Sequence, residues 1–576
     1  MNNAHIAAAF DQIADLLEFQ GANPFRVRAY RNAARTIRDY SEPVANIVHD
    51  PNRKLTEIQG IGADLSDKIN ELVNTGSLPM LVELQAEVPQ SVMALLRIPG
   101  VGPKKAALLN KELKITTLDE LRAACLAHQV QELKGFGKKT EEIILQGLDI
   151  AGQAEERMYW ADADTHAQEL LAFLKECPAV EQIAPAGSYR RGRDTIGDLD
   201  ILVTAKDAAA VMDRLAQFPR IEKVLARGDT KMSVRLSDGP QVDLRVVPAE
   251  SFGAALQYFT GSKEHNVILR GMAKNRGLKI NEYGVFRLDG EKETYIAGRT
   301  EKEVYDALDL PLFPPEIREA RHEFEWAASG KLPTLIETSD IRGDLHMHTN
   351  ETDGSATLEE MVAAAQTRGL HYIAITDHSK RVSMANGLDG SRLLTQWEQI
   401  DRLNEKLKGF VVLKGCEVDI LERGGLDIED EVLAQADWIN ASVHYGQNQP
   451  REQITKRIVE ALQNPHVCAI AHPTGRILNR RKSYEVDLEA VYAAARENKK
   501  MLEINANPAR LDLDDVAAAG AKQHGIPLVI STDAHSTSGL DCLRYGILQA
   551  RRAGLTKDDV ANTRTWPQLK KLLGRK

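Results

Sequence analysis

Gly187-Ser188-Tyr189-Arg190-Arg191-Gly192, followed by Gly197-Asp198-Leu199-Asp200-Ile201-Leu202-Val203, reads as a phosphate-binding turn that feeds a carboxylate-bearing strand. Asp198 and Asp200 stand at i and i+2 of an apolar, β-branched run, so on a strand both project from one face. Paired carboxylates on one face suit divalent cations, and Asp243, in Val242-Asp243-Leu244-Arg245-Val246-Val247, offers a third from another short strand. Upstream, Gly187 and Gly192 let the N–H groups around Ser188 approach a triphosphate, with Arg191 as a bidentate partner and Gly197 opening the strand. A lone Gly-Ser pair also suits an exposed basic turn. The DxD strand directly behind it points instead to in-line nucleotidyl transfer, with Mg2+ clamping the attacking and leaving oxygens.

The chain of 576 residues is long enough for about three to five domains with separate cores. An apolar content of 43% and a charged content of 27% are those of an ordinary globular protein. No charged segment followed by an apolar run opens the chain, and no uninterrupted apolar run approaches a membrane span, so a cytoplasmic protein without membrane contact is expected. The 5 cysteines are scattered and odd in number, as reduced intracellular thiols are. A net charge of -10 argues against indiscriminate coating of nucleic acid, which leaves local basic patches to grip phosphates.

Such patches accompany an internal repeat. Ile58-Gln59-Gly60-Ile61-Gly62, Ile98-Pro99-Gly100-Val101-Gly102 and Leu133-Lys134-Gly135-Phe136-Gly137 each open an amphipathic helix. The glycines permit a tight hairpin with positive φ, and the N–H groups at the next helix start form an anion site for a DNA phosphate. Helix-hairpin-helix elements of this kind hold the backbone without reading bases. Lys104 and Lys105, and Lys138 and Lys139, add charge at the second and third copies. The basic helix Phe25 to Ile37 either tracks a strand or presents a solvated face, and the sequence does not separate the two. Tyr258-Phe259-Thr260-Gly261-Ser262 with Asn266 suits a nucleotide pocket, a ring near the sugar and Gly261 close to the ribose; the same rings also suit a core. The prolines of Leu310 to Pro315 mark a boundary, followed by a charged helix from Glu316 to Ala328 and a connector to Ile341.

From Ile341 onward, apolar strand-like runs end in potential ligands: His346 and His348, Asp377-His378, Glu417, His444, His472, and Asp533 with His535. A further run, Met501 to Asn505, carries Glu503, and alanine-rich segments (Leu358 to Arg368, Leu488 to Glu497, Val516 to His524) read as helices between them. Strand and helix in alternation imply a parallel βα barrel with its ligands at the carboxy-terminal mouth. So many imidazoles and carboxylates exceed the needs of one zinc and suggest two or three ions, which activate water for phosphate-ester hydrolysis.

The Gly-Ser turn with its DxD strand resembles the nucleotidyltransferases of the DNA polymerase beta superfamily. The second half, through Asp344-Leu345-His346-Met347-His348-Thr349, Thr376-Asp377-His378, Gly415-Cys416-Glu417, Ser442-Val443-His444, Ala471-His472-Pro473 and Ser531-Thr532-Asp533-Ala534-His535, resembles the polymerase and histidinol phosphatase (PHP) family. That resemblance implies a distorted seven-stranded TIM-like barrel binding Mn2+ or Zn2+ through His346, His348, Asp353, His378, Glu417, His444, His472, Asp533 and His535. Over nearly its whole length the chain resembles the bacterial family X DNA polymerases.

The resemblance implies a multidomain chain: a lyase-like helical domain over 1–90, a DNA-binding helix-hairpin-helix domain over 91–152, and an α/β palm over 153–245. A nucleotide-selection domain over 246–312, a linker over 313–340 and a PHP domain over 341–576 complete it. It assigns the palm metal roles to Asp198, Asp200 and Asp243, with Mg2+. Triphosphate contact falls to Ser188 and Arg191, and nucleotide contacts to Tyr258, Phe259, Gly261 and Asn266. DNA contacts fall on Gly60, Gly62, Gly100, Gly102, Lys104, Lys105, Gly135 and Gly137. Lys68 aligns with a Schiff-base lysine, but Asp64 and Asn32 depart from the basic pattern beside it, and a solvated surface lysine is the rival reading. The implied function is a monomeric, nucleoid-associated, template-directed gap-filling DNA polymerase of base excision repair. It would use gapped or primed duplex DNA and deoxynucleoside triphosphates, and carry a 3'-5' exonuclease, abasic endonuclease or 3'-phosphatase in the PHP domain. A template-independent nucleotidyltransferase, or a PHP phosphoesterase using the palm as a DNA-binding platform, are the alternatives.

Overall fold

The computed structural model describes residues 3–39, 44–51, 53–58, 60–87, 95, 101, 103–133, 135–138, 140–141, 144–145, 148, 157–237, 239–290, 292–478, 481 and 483–574. It divides into two compact units, Met1–Arg157 and Met158–Lys576. The first is helical. Ile6, Phe10, Ile13 and Leu17 recur at helical spacing along Asn3–Phe19 and meet Val27, Tyr30, Ala34 and Ile37 of Pro24–Asp39 in one core. The basic face of the second helix is partly spent within the unit, since Arg31 pairs with Asp15, while Arg26 and Arg28 stay exposed.

The second unit begins with a five-stranded sheet ordered β2-β4-β7-β6-β5. Its strands are β2 (Val180–Pro185), β4 (Asp198–Ala205), β5 (Ile221–Arg227), β6 (Lys231–Leu236) and β7 (Gln241–Val246), and a small pair, β1 (Met158–Tyr159) with β3 (Thr195–Ile196), lies beside it. Strand β4 has two different faces. Leu199, Ile201 and Val203 enter a core with helices Trp160–Lys175 and Ala208–Ala216. On the other face helix Phe252–Thr260 covers Leu202 through Ala255 and Leu256, and Asp198 is left exposed.

A three-stranded antiparallel sheet, β8 (Leu278–Asn281), β9 (Gly284–Asp289) and β10 (Lys292–Ala297), follows. It shares a core with Leu269, Tyr305, Phe313, Ile317 and Leu335. The charged helix expected over 316–328 is corrected to a 3-10 turn, Pro315–Ile317, and a short helix, Glu323–Ala328. Long-range bonding overrides helix propensity there. The buried Arg318 guanidinium donates to Phe313 O (3.0 and 2.7 Å) and to Glu301 Oε1 (2.6 Å). Glu301 also takes both ends of Arg190 (2.8 and 2.6 Å), tying this domain to the turn before β4. Removing one partner from a buried cluster of this kind costs about 3–5 kcal/mol.

The last region is a seven-stranded parallel sheet in sequential order. Its strands are β11 (Gly343–Asp344), β12 (Tyr372–Ile375), β13 (Val411–Asp419), β14 (Trp438–Ser442), β15 (Ala469–Ile470), β16 (Met501–Asn505) and β17 (Leu528–Ser531). A parallel bridge between Met347 and Ala534, just beyond β11 and β17, brings the two edges together, so the sheet nearly closes, as the expected TIM-like barrel. Helices Leu358–Thr367, Leu488–Glu497 and Asp515–Gln523 lie where alanine-rich segments were read.

Candidate active sites

Strands β4 and β7 run parallel with Asp200 directly opposite Asp243, so the register brings the third carboxylate beside the DxD pair. Lys231 Nζ lies 3.0 Å from Asp243 Oδ2, and Gln241 Nε2 donates to Asp243 Oδ1 at 3.0 Å. Burial opposes ionisation of Asp243, but hydrogen bonds from Ser233, Lys231 and Gln241 outweigh it and hold the carboxyl below its usual range. Burial, then repulsion from Asp198 and Asp243, pushes Asp200 up to about 7. Crowded carboxylates, one of them ready to keep a proton, are a donor set that a cation relieves, and this chemistry fits Mg2+ at Asp198, Asp200 and Asp243.

The glycine-bounded turn packs directly on this set. Ala186 N donates to Asp200 O (2.8 Å), and Gly187, at φ 63°, lies so close that an added Cβ would collide with the Asp200 carboxylate. Gly187–Arg190 forms a single helical turn, Ser188 is half-buried, and Gly197 is exposed at the entry to β4. Arg191 Nη1 donates to Thr260 O (2.5 Å) and its Nε to Glu319 Oε1 (3.1 Å), so the guanidinium already has anionic and carbonyl partners beside Gly261. Tyr258 and Phe259 meet edge to face at 5.1 Å, with the Arg245 guanidinium 4.5 Å over the Phe259 ring. Both rings are half-buried. Asn266 is buried and committed, donating to Tyr258 O (2.7 Å) and accepting from Gln257 (2.6 Å).

At the barrel mouth the structure assembles overlapping donor groups: His348, Asp353, His378 and His535; His346, His348 and Asp533; and His378, Glu417 and His444. His472 joins through Nε2, 2.9 Å from Glu417 Oε1. His346 Nε2 and His348 Nδ1 are buried without a hydrogen-bond partner, while His378 Nδ1 lies 2.8 Å from Glu417 Oε2. Buried imidazole nitrogens left over in a set that converges on a buried carboxylate fit transition metals such as Mn2+ or Zn2+. Burial alone would depress His378 and His444, but Glu417 and their other carboxylate neighbours raise them to about 10 and about 9. His348, buried beside His378, falls to about 4. Ligand atoms that hold protons until a cation displaces them make binding release protons.

Several residues at this centre escaped the sequence reading in role. Glu503 Oε1 accepts from His346 Nδ1 (2.7 Å) while its Oε2 accepts from His472 N (2.6 Å), so one carboxylate orients two donors. Asp419 stands 3.2 Å from His444 Nδ1, and Asn505 donates to Asp533 Oδ2 at 3.1 Å. Arg510 Nε lies 3.5 Å from Asp533 Oδ2. Only the i, i+2 pairing of Glu503 with Asn505 at a strand end was a visible signal.

In the first unit, Gly60 (φ 90°) and Gly135 (φ 89°) each turn the chain back, with Ile61 N bonding Ile58 O (3.0 Å) and Phe136 N bonding Leu133 O (2.9 Å). The second glycine does not share the positive φ: Gly62, at φ -83°, caps helix Ala63–Thr75. Gly137 O accepts from Thr140 N and Glu141 N (2.8 and 3.0 Å), as Gly62 O accepts from Ser66 N (2.9 Å), and Lys138 is exposed. Lys105 lies 5.4 Å over the Phe136 ring. Gly100, Gly102, Lys139 and the side chain of Lys104 lie outside the described residues. Burial acts to lower Lys68, but bonding to Asp64 and the proximity of Tyr30 raise it, which disfavours the neutral amine that a Schiff base needs.

Family models match the chain in five places. They are a helix-hairpin-helix domain over 1–78, a SAM-like helix-hairpin-helix tandem over 92–149, a DNA polymerase beta palm over 157–235, a DNA polymerase beta thumb over 255–319 and a PHP domain over 344–507. A probable phosphatase of Thermoanaerobacter sp. is 32% identical over 231 residues, covering 38% of this chain and 89% of its own. One of Acetivibrio thermocellus is 31% identical over 201 residues, covering 33% and 78%. The DNA polymerase/3'-5' exonuclease PolX of Bacillus subtilis is 41% identical over 578 residues, the full length of both chains. With a palm, a thumb, tandem helix-hairpin-helix elements and a PHP barrel in one continuous match, the chain belongs to the PolX family of bacterial DNA polymerases.

Proposed function

We propose that this chain is a template-directed, gap-filling DNA polymerase of repair that also removes nucleotides from 3' ends at its PHP centre. The observation that carries the reading is the pair of separate acidic constellations in one unit, Asp198/Asp200/Asp243 and the histidine-rich barrel mouth. The primer 3'-hydroxyl attacks the α-phosphorus of the bound deoxynucleotide, and pyrophosphate leaves in line. The three aspartates would hold Mg2+, which when bound would offset the charge that develops in the displacement. Ser188 and the turn N–H groups hold the triphosphate, with Arg191, kept in place through Nε by Glu319, turning Nη1 from Thr260 O to phosphate. Tyr258, Phe259 and Gly261 shape the sugar pocket, and Asn266 fixes the helix end beside it. Gapped or primed duplex DNA is held by the helix-hairpin-helix elements, and the enzyme works as a monomer in the cytoplasm, at the nucleoid. Templated incorporation on a gapped duplex tests this; equal incorporation without a template favours the template-independent alternative.

At the PHP centre the nine His, Asp and Glu side chains would hold Mn2+ or Zn2+, which when bound would activate water for attack on a phosphate ester. The likeness to probable phosphatases favours a 3'-phosphatase as a second activity of the same site. Arg510, beside Asp533 and 21% exposed, is placed to neutralise the scissile phosphate. Arg510→Ala should lower exonuclease turnover about 10²-fold while primer extension stays within about twofold, read on one 3'-labelled duplex. Below about 7 Asp200 keeps a proton that would have to leave for Mg2+ to bind at the palm. The Mg2+ concentration for half-maximal extension should therefore rise about tenfold per pH unit below that value and level off above it, in titrations at pH 6 and pH 8. A flat profile contradicts the assignment.

A further inference from the structure

The turn Gly187–Gly192 is backed not by the palm alone but by the barrel helix that follows β17, Leu543–Arg552. That helix lies tight on the barrel wall, where a Cβ on Gly546 would meet Ile530 at 2.6 Å and Ala506 at 2.8 Å. Its other side reaches the palm. Gly192, at φ 67°, sits flush against Leu548, with no room for a Cβ between them. Tyr545 meets the edge of Trp160 at 5.8 Å, and Trp160 stacks on Tyr189 of the turn at 5.1 Å with rings 3° apart.

The final residue of the helix makes the strongest link. Arg552, with a side chain 2% exposed, donates from Nη1 to the Arg191 backbone carbonyl (2.8 Å) and to Glu319 Oε1 (2.9 Å), and from Nη2 to Asp515 Oδ2 (2.6 Å). Glu319 Oε1 in turn accepts from Arg191 Nε. One guanidinium of the barrel thus fixes both the backbone of the turn and the carboxylate that orients its arginine. A planar fork with several simultaneous acceptors is a role that a lysine cannot reproduce.

We infer that Arg552 is a positioning residue for nucleotide binding at the palm, so that the PHP barrel holds the triphosphate turn in its working geometry. This rests on the reading of Gly187–Gly192 as the triphosphate cradle. Neither chemistry needs Arg552 directly: it touches none of the barrel-mouth donors and acts on the palm only through Arg191 and Glu319.

The test uses the full chain with Arg552→Met, Arg552→Lys and Arg191→Ala, measuring KM and kcat for a deoxynucleotide in extension and, separately, exonuclease turnover. Arg552→Met should raise the nucleotide KM about tenfold or more with kcat and exonuclease turnover within about threefold, because a displaced turn loses binding before chemistry. Arg552→Lys should fall between. An unchanged KM in folded Arg552→Met, or exonuclease and extension lost in parallel, overturns the inference. If Arg552→Met does not fold, Leu548→Ala, which removes the packing on Gly192, should raise KM about threefold, and no rise overturns the inference. An unchanged KM in Arg191→Ala indicts the cradle reading itself; a raised KM there with none in Arg552→Met indicts only the role of Arg552.

Discussion

Replacing Asp198 or Asp243 with alanine will abolish primer extension on a gapped duplex while leaving the shortening of 3' ends in place. The two residues stand on adjacent parallel strands with Asp200 between them, and each removes a carboxylate from a set in which burial and like charge already raise Asp200 to about 7. A cation held by such a set contributes several kcal/mol at the transition state. At ~1.4 kcal/mol per decade, the expected loss in kcat is about 10³-fold or more. Asp198 is exposed and Asp243 half-buried, so the substitutions open no large cavity, and unfolding is not the expected cause. Asp243→Ala also strands Lys231 as an unpaired cation within reach of the site, so its nucleotide KM should shift where that of Asp198→Ala does not. Full extension activity in either variant sinks the assignment.

The double variant His346→Ala and His348→Ala will do the reverse, abolishing 3'-end removal by about 10³-fold or more while extension stays within about threefold. His346 is gripped by Glu503 on Nδ1 and turns Nε2 into the cluster, and His348 belongs to both of the donor groups around it. Their loss leaves Glu503, Glu417 and Asp533 facing one another in a buried space, which costs affinity for any cation. The palm strands share no residue with the barrel mouth, although barrel residues meet the palm at Gly192 through Leu548, at Trp160 through Tyr545 and at Asp194 through Arg476 (3.2 Å), besides Arg552. Metal titration followed by thermal melting gives an independent reading. Mn2+ should raise the melting temperature of the parent chain and not of the double variant. Loss of extension in the double variant would mean that the centres are coupled.

Much of this was legible because the informative patterns are local. Alternation in Asp198-Leu199-Asp200 states which face is wet, and ligands at the ends of successive apolar runs state which end of a barrel is the mouth. The register that sets Asp200 opposite Asp243 was not legible, since it depends on β6 and β7 pairing after a hairpin rather than on either strand alone. Nor was the broken helix at 316–328, where burial of Arg318 against Glu301 overrode a charged, helix-like run. The same reason hides the orienting residues and the seam. Glu503 meets His346 across 157 residues of chain and Arg552 meets Glu319 across 233, and no periodicity marks either partner. In the repeat, GxG spacing announced the hairpins but not that only the first glycine of the described copies turns through positive φ.

The central claim is that one chain adds nucleotides at the palm and removes them at the barrel mouth. A single gapped duplex labelled on the primer, incubated with Mg2+ or Mn2+ and with or without deoxynucleotides, tests it directly across the parent, Asp198→Ala and the His346/His348 double variant. The parent should lengthen the primer when nucleotides are present and shorten it when they are absent. Asp198→Ala should only shorten it, and the double variant should only lengthen it. A single substitution that removes both products, or shortening that survives in the double variant, contradicts the two-centre account.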